Sequence, residues 1–148
     1  MPALDVSMQL SFALYSAANR MARLHKPFLE PMGLTFPQYL VLLELFANAP
    51  QSVGQIGAKL GMDTGTITPL LKRMEAGGSV ARRRDPSDER RVLVTLTQAG
   101  EKLRDPVWSV TEQIKTACAL NKRDLSALRD TLSNLAMPAD QDAGLHQQ

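Results

Sequence analysis

Cysteine, histidine and aromatic residues are all scarce in this chain, and each scarcity removes a class of chemistry. With one cysteine, Cys118, no disulfide can close within the chain, and a reducing cytoplasm is the expected setting. The two histidines are His25 and His146, the second in a polar C-terminal stretch. There is no CxxC, HExxH, GxGxxG or phosphate-loop lysine motif, so no metal site and no cofactor are expected. Ser11, His25 and the acidic residues have no spacing that suggests a catalytic triad, so no enzyme is expected. Long apolar runs are missing too. Tyr39–Phe46 is far too short to cross a membrane, and no basic region precedes an apolar run, so no secretory leader is expected. Charge of one sign is also lacking: 17 Lys and Arg against 15 Asp and Glu leave a net +2, which excludes a general polyanion-binding surface. There is no internal repeat and no low-complexity tract. The length, 148 residues, suits a single domain.

What is present concentrates between Ser52 and Thr97. Ser52 is a good helix N-cap, with Gln55 placed to complete a capping box. Val53, Ile56 and Leu60 follow at helical spacing, and Gly61 is a natural stop. Asp63 can cap a second helix over about Thr64–Ala76. Ile67, Leu70, Leu71 and Met74 make its apolar stripe. Thr64, Thr68 and Lys72 lie on another face, with Thr66, Pro69 and Arg73 beside them. Short hydroxyls near the start and cations farther along are what a helix entering the DNA major groove presents to bases and phosphates. Pro69 removes a backbone donor and crowds the carbonyl of Gly65, so it belongs in the first turn or two. Gly77 and Gly78 end the helix.

Two strands are expected next, Ser79–Arg84 and the β-branched Arg91–Leu96. Between them Asp85–Arg90 reads as a turn-forming loop. Arg82, Arg83, Arg84, Arg90 and Arg91 surround it. A solvated charged hairpin is the commoner meaning of such a cluster. Placed directly after a helix-turn-helix, the arginines instead suggest a wing that reaches phosphates or a minor groove, with Asp88 orienting Arg90 by a charge-assisted hydrogen bond.

Asp88-Glu89-Arg90 followed by Val92–Thr97 resembles the wing signature of the MarR family of bacterial transcriptional regulators. Thr66–Arg73 is similar to that family's recognition helix. Gln9–Ser16 and Leu34–Leu40 resemble its organic-hydroperoxide-sensing (OhrR-like) branch, and the likeness runs from about Gln9 to Ala136. The departures are at the sensor. Where that branch carries a reactive cysteine, this chain has Ser11; where it carries tyrosines that bond the thiolate, this chain has Tyr15, His25 and Phe36, and only the first is kept. A serine cannot climb the sulfenic-acid ladder. Ser11 is either a replacement that traps the reduced form or the mark of a relative that has left peroxide sensing. The changes at His25 and Phe36 favour the second. Cys118 reads as a small buried thiol, or else as a remnant of the second cysteine of some two-cysteine relatives and a possible redox site.

The flanks supply the rest. A helix is expected over Val6–Leu29, with Leu10, Leu14, Ala17, Met21 and Leu24 as a packing seam and Pro27 as a possible kink. Ser11, Tyr15 and His25 lie on the neighbouring line, where the resemblance places a sensor pocket; a half-buried, hydrogen-bonded histidine is the plainer reading of His25. Thr35 and Gln38 form a second capping box, with Leu34 and Tyr39 as a hydrophobic staple, and Leu40, Leu43 and Phe46 are expected to face the core. Thr97 opens a fifth helix to about Ala119, striped by Leu103, Val107, Val110, Ile114 and Ala117 and kinked at Pro106. Asn121 caps a sixth, striped by Leu125, Leu128, Leu132 and Leu135 and ended by Pro138. The first and last stripes either fold on each other or pair two chains, and the resemblance implies dimerisation.

The expectation is a mainly α, winged helix-turn-helix chain of six helices. Residues 36–96 form the DNA-binding lobe, 6–34 and 98–136 the dimerisation region, and 139–148 a disordered tail. Its partners are an operator duplex, a second copy and a small-molecule effector, with no membrane, in a bacterial cytoplasm on the nucleoid. Thr64, Thr66, Thr68, Pro69, Lys72 and Arg73 would enter the major groove. Arg84, Asp88, Arg90 and Arg91 would form the wing. Ser11, Tyr15, His25, Phe36 and Tyr39 would line the signal pocket. A repressor silenced as a sensor at Ser11, and a winged-helix interaction module that binds no DNA, are the alternatives.

Overall fold

The computed structural model describes residues 4–137; the expected disordered tail and the helix stop at Pro138 lie outside them. In chain order the elements are α1 Leu10–Leu29, α2 Phe36–Asn48, β1 Gln51–Ser52, α3 Val53–Leu60, α4 Thr64–Ala76, β2 Val80–Asp85, β3 Asp88–Leu96, α5 Gln98–Glu101, α6 Arg104–Ala117 and α7 Lys122–Asn134. Short 3₁₀ turns at Val6–Met8 and Glu30–Met32 flank α1. The three strands form one antiparallel sheet in the order β1-β3-β2. Packing divides the chain into two compact units, Met1–Ile114 and Lys115–Gln148, so α5 and most of α6 belong with the winged helix.

The expected caps form. The Thr35 hydroxyl accepts from the Gln38 N–H while Gln38 reaches back to the Thr35 N–H, and Ser52 and Gln55 repeat the arrangement. Asp63 Oδ1 accepts from the Thr66 N–H at 2.9 Å, and Asn121 Oδ1 from that of Asp124 at 2.8 Å. Gly61 takes the left-handed conformation, φ 68°, that lets the chain turn between α3 and α4. Pro69 sits in the second turn of α4, on its exposed face.

The core of the first unit comes from α2 (Val41, Leu42, Leu45), α3 (Ile56), α4 (Ile67, Leu70, Leu71, Met74), the sheet (Val80, Val94) and α6 (Val107, Val110, Ile114). Four differences from expectation follow from packing. Leu40, Leu43 and Phe46 are only half-buried, and α2 turns Val41, Leu42 and Leu45 inward instead. This helix is apolar nearly all round, so periodicity could not choose its face. The first helix starts at Leu10, not Val6, because Asp5 caps a separate 3₁₀ turn. The wing is a tight hairpin: β3 begins at Asp88, leaving Pro86 and Ser87 between the strands. Asp85 Oδ1 accepts from both the N–H (2.9 Å) and the hydroxyl (2.7 Å) of Ser87, and a register irregularity at Arg84/Asp85 takes up the bend. Finally, the fifth helix breaks rather than kinks. Thr97 caps the single turn α5, Leu103 carries the break, and Pro106 falls in the first turn of α6, where its missing donor costs least.

Candidate nucleic-acid interface

The outer face of α4 is set by its inner one. Burying Ile67, Leu70, Leu71 and Met74 leaves Thr64, Thr66, Pro69, Lys72 and Arg73 exposed and Thr68 half-buried. Thr68 lines a concavity of about 300 Å³ together with Ser52, Gly54, Arg82, Arg90 and Arg91. One cleft therefore joins the outer face of α4 to the wing, with three arginines among its lining residues.

Four of the five wing arginines have attachments of their own. Arg90 extends with its side chain 93% exposed, its Nε 3.4 Å from Asp88 Oδ1, which also accepts its backbone N–H at 3.1 Å. Arg84 donates from Nη1 to the Glu89 carbonyl at 2.7 Å, so it braces the hairpin. Arg91 lies between the buried Asp85 (3.7 Å) and Gln55 of α3 (3.5 Å). Arg82, which sequence reasoning left outside the functional set, faces inward, with its side chain 22% exposed and bound to Glu75 of α4. The third strand, β1, was also missed. Two residues are too few to show alternation, yet Gln51 and Ser52 pair with Val94 and Leu93 and fix the start of α3 to the wing.

The carboxylates at the base of the wing are held below their ordinary range. For Asp85 the causes are hydrogen bonds from the Ser87 hydroxyl and N–H, with Arg91 and Arg83 adding attraction. For Glu75 they are the Arg82 N–H and then its side chain. A carboxyl lowered on folding stabilises the fold fully above its unfolded value, and that stabilisation is lost as pH falls through the lowered value. The amide resonances of Ser87 and Arg82 are therefore expected to titrate with midpoints below those of the same carboxyls in unfolded peptides, with the wing loosening only in acid. Midpoints at or above the peptide values would contradict these bonds.

The expected signal residues divide. His25 is buried and its Nδ1 is 2.8 Å from the Met21 carbonyl; a carbonyl only accepts, so Nδ1 carries the proton. Its ring meets Phe36 (4.8 Å between centroids) and Tyr39 (5.2 Å). The Thr111 hydroxyl donates to the Val107 carbonyl, so Tyr39 donates to Thr111, at 2.7 Å. Ser11 and Tyr15 are not part of this cluster within the protomer: both stand exposed on α1, Tyr15 by 69%. A cavity of about 370 Å³ opens beside Phe36, walled by Ala22, Leu29 and Leu34 with Arg23 and Lys26 near them. Cys118 is half-buried, just beyond α6. Among the described residues no group of His, Cys, Asp and Glu could hold a metal, and no helix is long and apolar enough to cross a membrane.

The sequence model of the transcriptional regulators SarA/Rot matches residues 23–107. The chain belongs to this family of transcriptional regulators. It is 38% identical over 127 residues to the organic hydroperoxide resistance transcriptional regulator of Bacillus subtilis (strain 168), covering 86% of each chain. Among solved structures it resembles overoxidized AbfR bound to DNA, with a TM-score of 0.72, 34% identity, and 91% of this chain and 99% of that one covered. A mutant MarR from E. coli in complex with operator DNA shares the fold, with a TM-score of 0.74, 23% identity, and 86% and 94% covered. The expected MarR-like winged helix is thereby established, and both of these solved structures are complexes with DNA.

Proposed function

We propose that this SarA/Rot-family chain is a homodimeric repressor that holds a pseudo-palindromic operator until a small molecule releases it. The observation that carries the reading is the continuous polar ridge from Thr64 to Arg73 on α4, joined through the Thr68 cleft to Arg90 and Arg91 of the wing. Hydroxyls and cations on α4 suit the major groove, and an extended arginine at a hairpin tip suits phosphates or the minor groove. Local basicity on a chain of net charge +2 suits a site-specific binder better than a nonspecific one.

Two further features support the dimer and its input. Phe12 and Tyr15, one turn apart on α1, are exposed by 40% and 69%, an apolar patch that a second copy would cover. Two-fold pairing then sets two copies of α4 on half-sites about one turn of DNA apart. The cavity beside Phe36, next to the buried His25–Tyr39 cluster, is of a size to admit a small ligand. A ligand there acts through its different affinity for two spacings of the recognition helices. Ser11 offers no thiol, so the signal is read by binding rather than by oxidation at that position.

The test is Arg90→Ala against a duplex that the unaltered chain selects from a random-sequence pool. The loss expected is about 1–3 kcal/mol per wing, roughly tenfold or more, with a shallower dependence on salt. Unchanged affinity at moderate salt would remove the wing from the interface. Binding that is weak and indifferent to salt in the unaltered chain would favour a protein-interaction module instead.

A further inference from the structure

We infer that Glu75 is a positioning residue for the wing: an acidic group on the recognition helix that strengthens DNA binding without touching DNA. This rests on the DNA-binding reading above. Glu75 lies near the end of α4, one helical turn beyond Lys72 and half-buried. Its Oε2 accepts the backbone N–H of Arg82 at 2.9 Å, and its Oε1 accepts from the Arg82 guanidinium at 3.1 Å (Nη2) and 3.4 Å (Nε). One carboxylate thus grips both the main chain and the side chain of the same β2 residue. The backbone bond is the decisive one. In β2 the pairing with β3 satisfies one edge of the strand, and Arg82 stands opposite Val94 in that ladder. β2 is the outer strand of the sheet, so its other edge has donors without a ladder. Glu75 takes one of them and turns that edge toward α4.

The consequence is geometric. Held at Arg82, the hairpin cannot pivot about Gly77 and Gly78, and Thr68, Arg90 and Arg91 remain walls of one cleft. Arg82 is accordingly part of the frame, and its side chain is directed by Glu75 rather than by a phosphate. A flexible wing would have to be ordered at the moment of binding, and that ordering cost reduces affinity.

This role has a sign opposite to that of simple electrostatics. Removing a carboxylate beside a DNA-binding surface should tighten binding if charge alone matters, because a repulsion of phosphates is lifted. Removing a strut should weaken it. The experiment measures affinity for the selected duplex, over a range of salt, with Glu75→Ala, Glu75→Gln, Arg82→Ala and the double variant Glu75→Ala/Arg82→Ala. Glu75→Ala is expected to lose about tenfold and to show a shallower salt slope, since wing phosphates are released. Glu75→Gln keeps an acceptor for the Arg82 N–H and should recover part of the loss. The double variant should be no worse than Glu75→Ala, the non-additivity of two residues in one interaction. Hydrogen exchange at the Arg82 amide, measured without DNA, should quicken in Glu75→Ala and not in Arg82→Ala. Tighter binding by Glu75→Ala, or additive losses, would overturn the proposal and make Arg82 a phosphate contact. If the unaltered chain selects no duplex, the DNA-binding reading fails, while the exchange measurement still decides whether the strut exists.

Discussion

Leu128→Asp/Leu132→Asp should leave a folded monomer that has lost its operator. In α7 these two side chains are 48% and 45% exposed on a helix whose other residues are mostly polar, and Leu135, just past its end, is 40% exposed. Leucines at three- and four-residue spacing form a seam that water covers in one protomer and that a second copy would cover in the proposed dimer. Aspartate at such exposed positions costs the protomer little, so helix content should be preserved. In a two-fold interface every substitution appears twice, and four carboxylates would have to lose water without partners. Sedimentation should therefore show a monomer, against the dimer proposed for the unaltered chain. Affinity for a two-half-site duplex should fall by about 10²–10⁴-fold, because the second half-site is no longer bound as an intramolecular event. A variant that remains dimeric would exclude the α7 stripe from the interface. One that becomes monomeric but keeps its operator affinity would overturn the two-half-site arrangement.

Gly100→Ala should be the most destabilising small substitution in the winged-helix unit. A methyl group there would be driven into the backbone carbonyl oxygen of Ser79, with the Leu96 side chain 3.3 Å away. That carbonyl cannot retreat. It accepts the Thr97 N–H at 3.1 Å, and the Thr97 hydroxyl donates to the neighbouring Gly78 carbonyl at 2.5 Å while accepting the Gly100 N–H. Overpacking against fixed backbone costs about 3 kcal/mol, which should lower Tm by roughly 10 °C in thermal unfolding. Gly54→Ala is the control. Its added methyl would find only the Ser52 hydroxyl, 4.0 Å away, and alanine is the better helix former, so Tm should hold or rise. Equal effects at the two positions would mean that the α5 turn does not need its close approach to Ser79.

These two results probe different kinds of information. The helix-turn-helix was legible residue by residue. Ser52 and Asp63 cap where a side-chain oxygen three residues before an orphan donor should cap, and the Ile67, Leu70, Leu71, Met74 stripe is buried as its spacing requires. Such features depend on neighbours within one or two turns, so the local sequence contains all their physics. The polar face of α4 was legible for the same reason, being the complement of that stripe. The character of the wing arginines was visible, but not their division of labour. Glu75 and Arg82 are seven residues apart with Gly77 and Gly78 between them, and only the docking of β2 on α4 turned two unremarkable charges into a pair.

Local pattern therefore specifies the class of molecule: a capped, striped helix-turn-helix followed by an arginine-bearing hairpin, in a chain with one cysteine, two histidines and no long apolar run. The tertiary structure decided the choices that local pattern left degenerate. It selected Val41, Leu42 and Leu45 as the buried face of a helix apolar nearly all round, and it broke the fifth helix at Leu103, which leaves Pro106 in the first turn of α6. It joined Tyr39 to Thr111 across 72 residues. It also separated the exposed Ser11 and Tyr15 from the buried His25, Phe36 and Tyr39. The physical reason is the same in each case. Burial is a property of what lies opposite a side chain, and what lies opposite is supplied by residues too distant in sequence for any periodicity to encode.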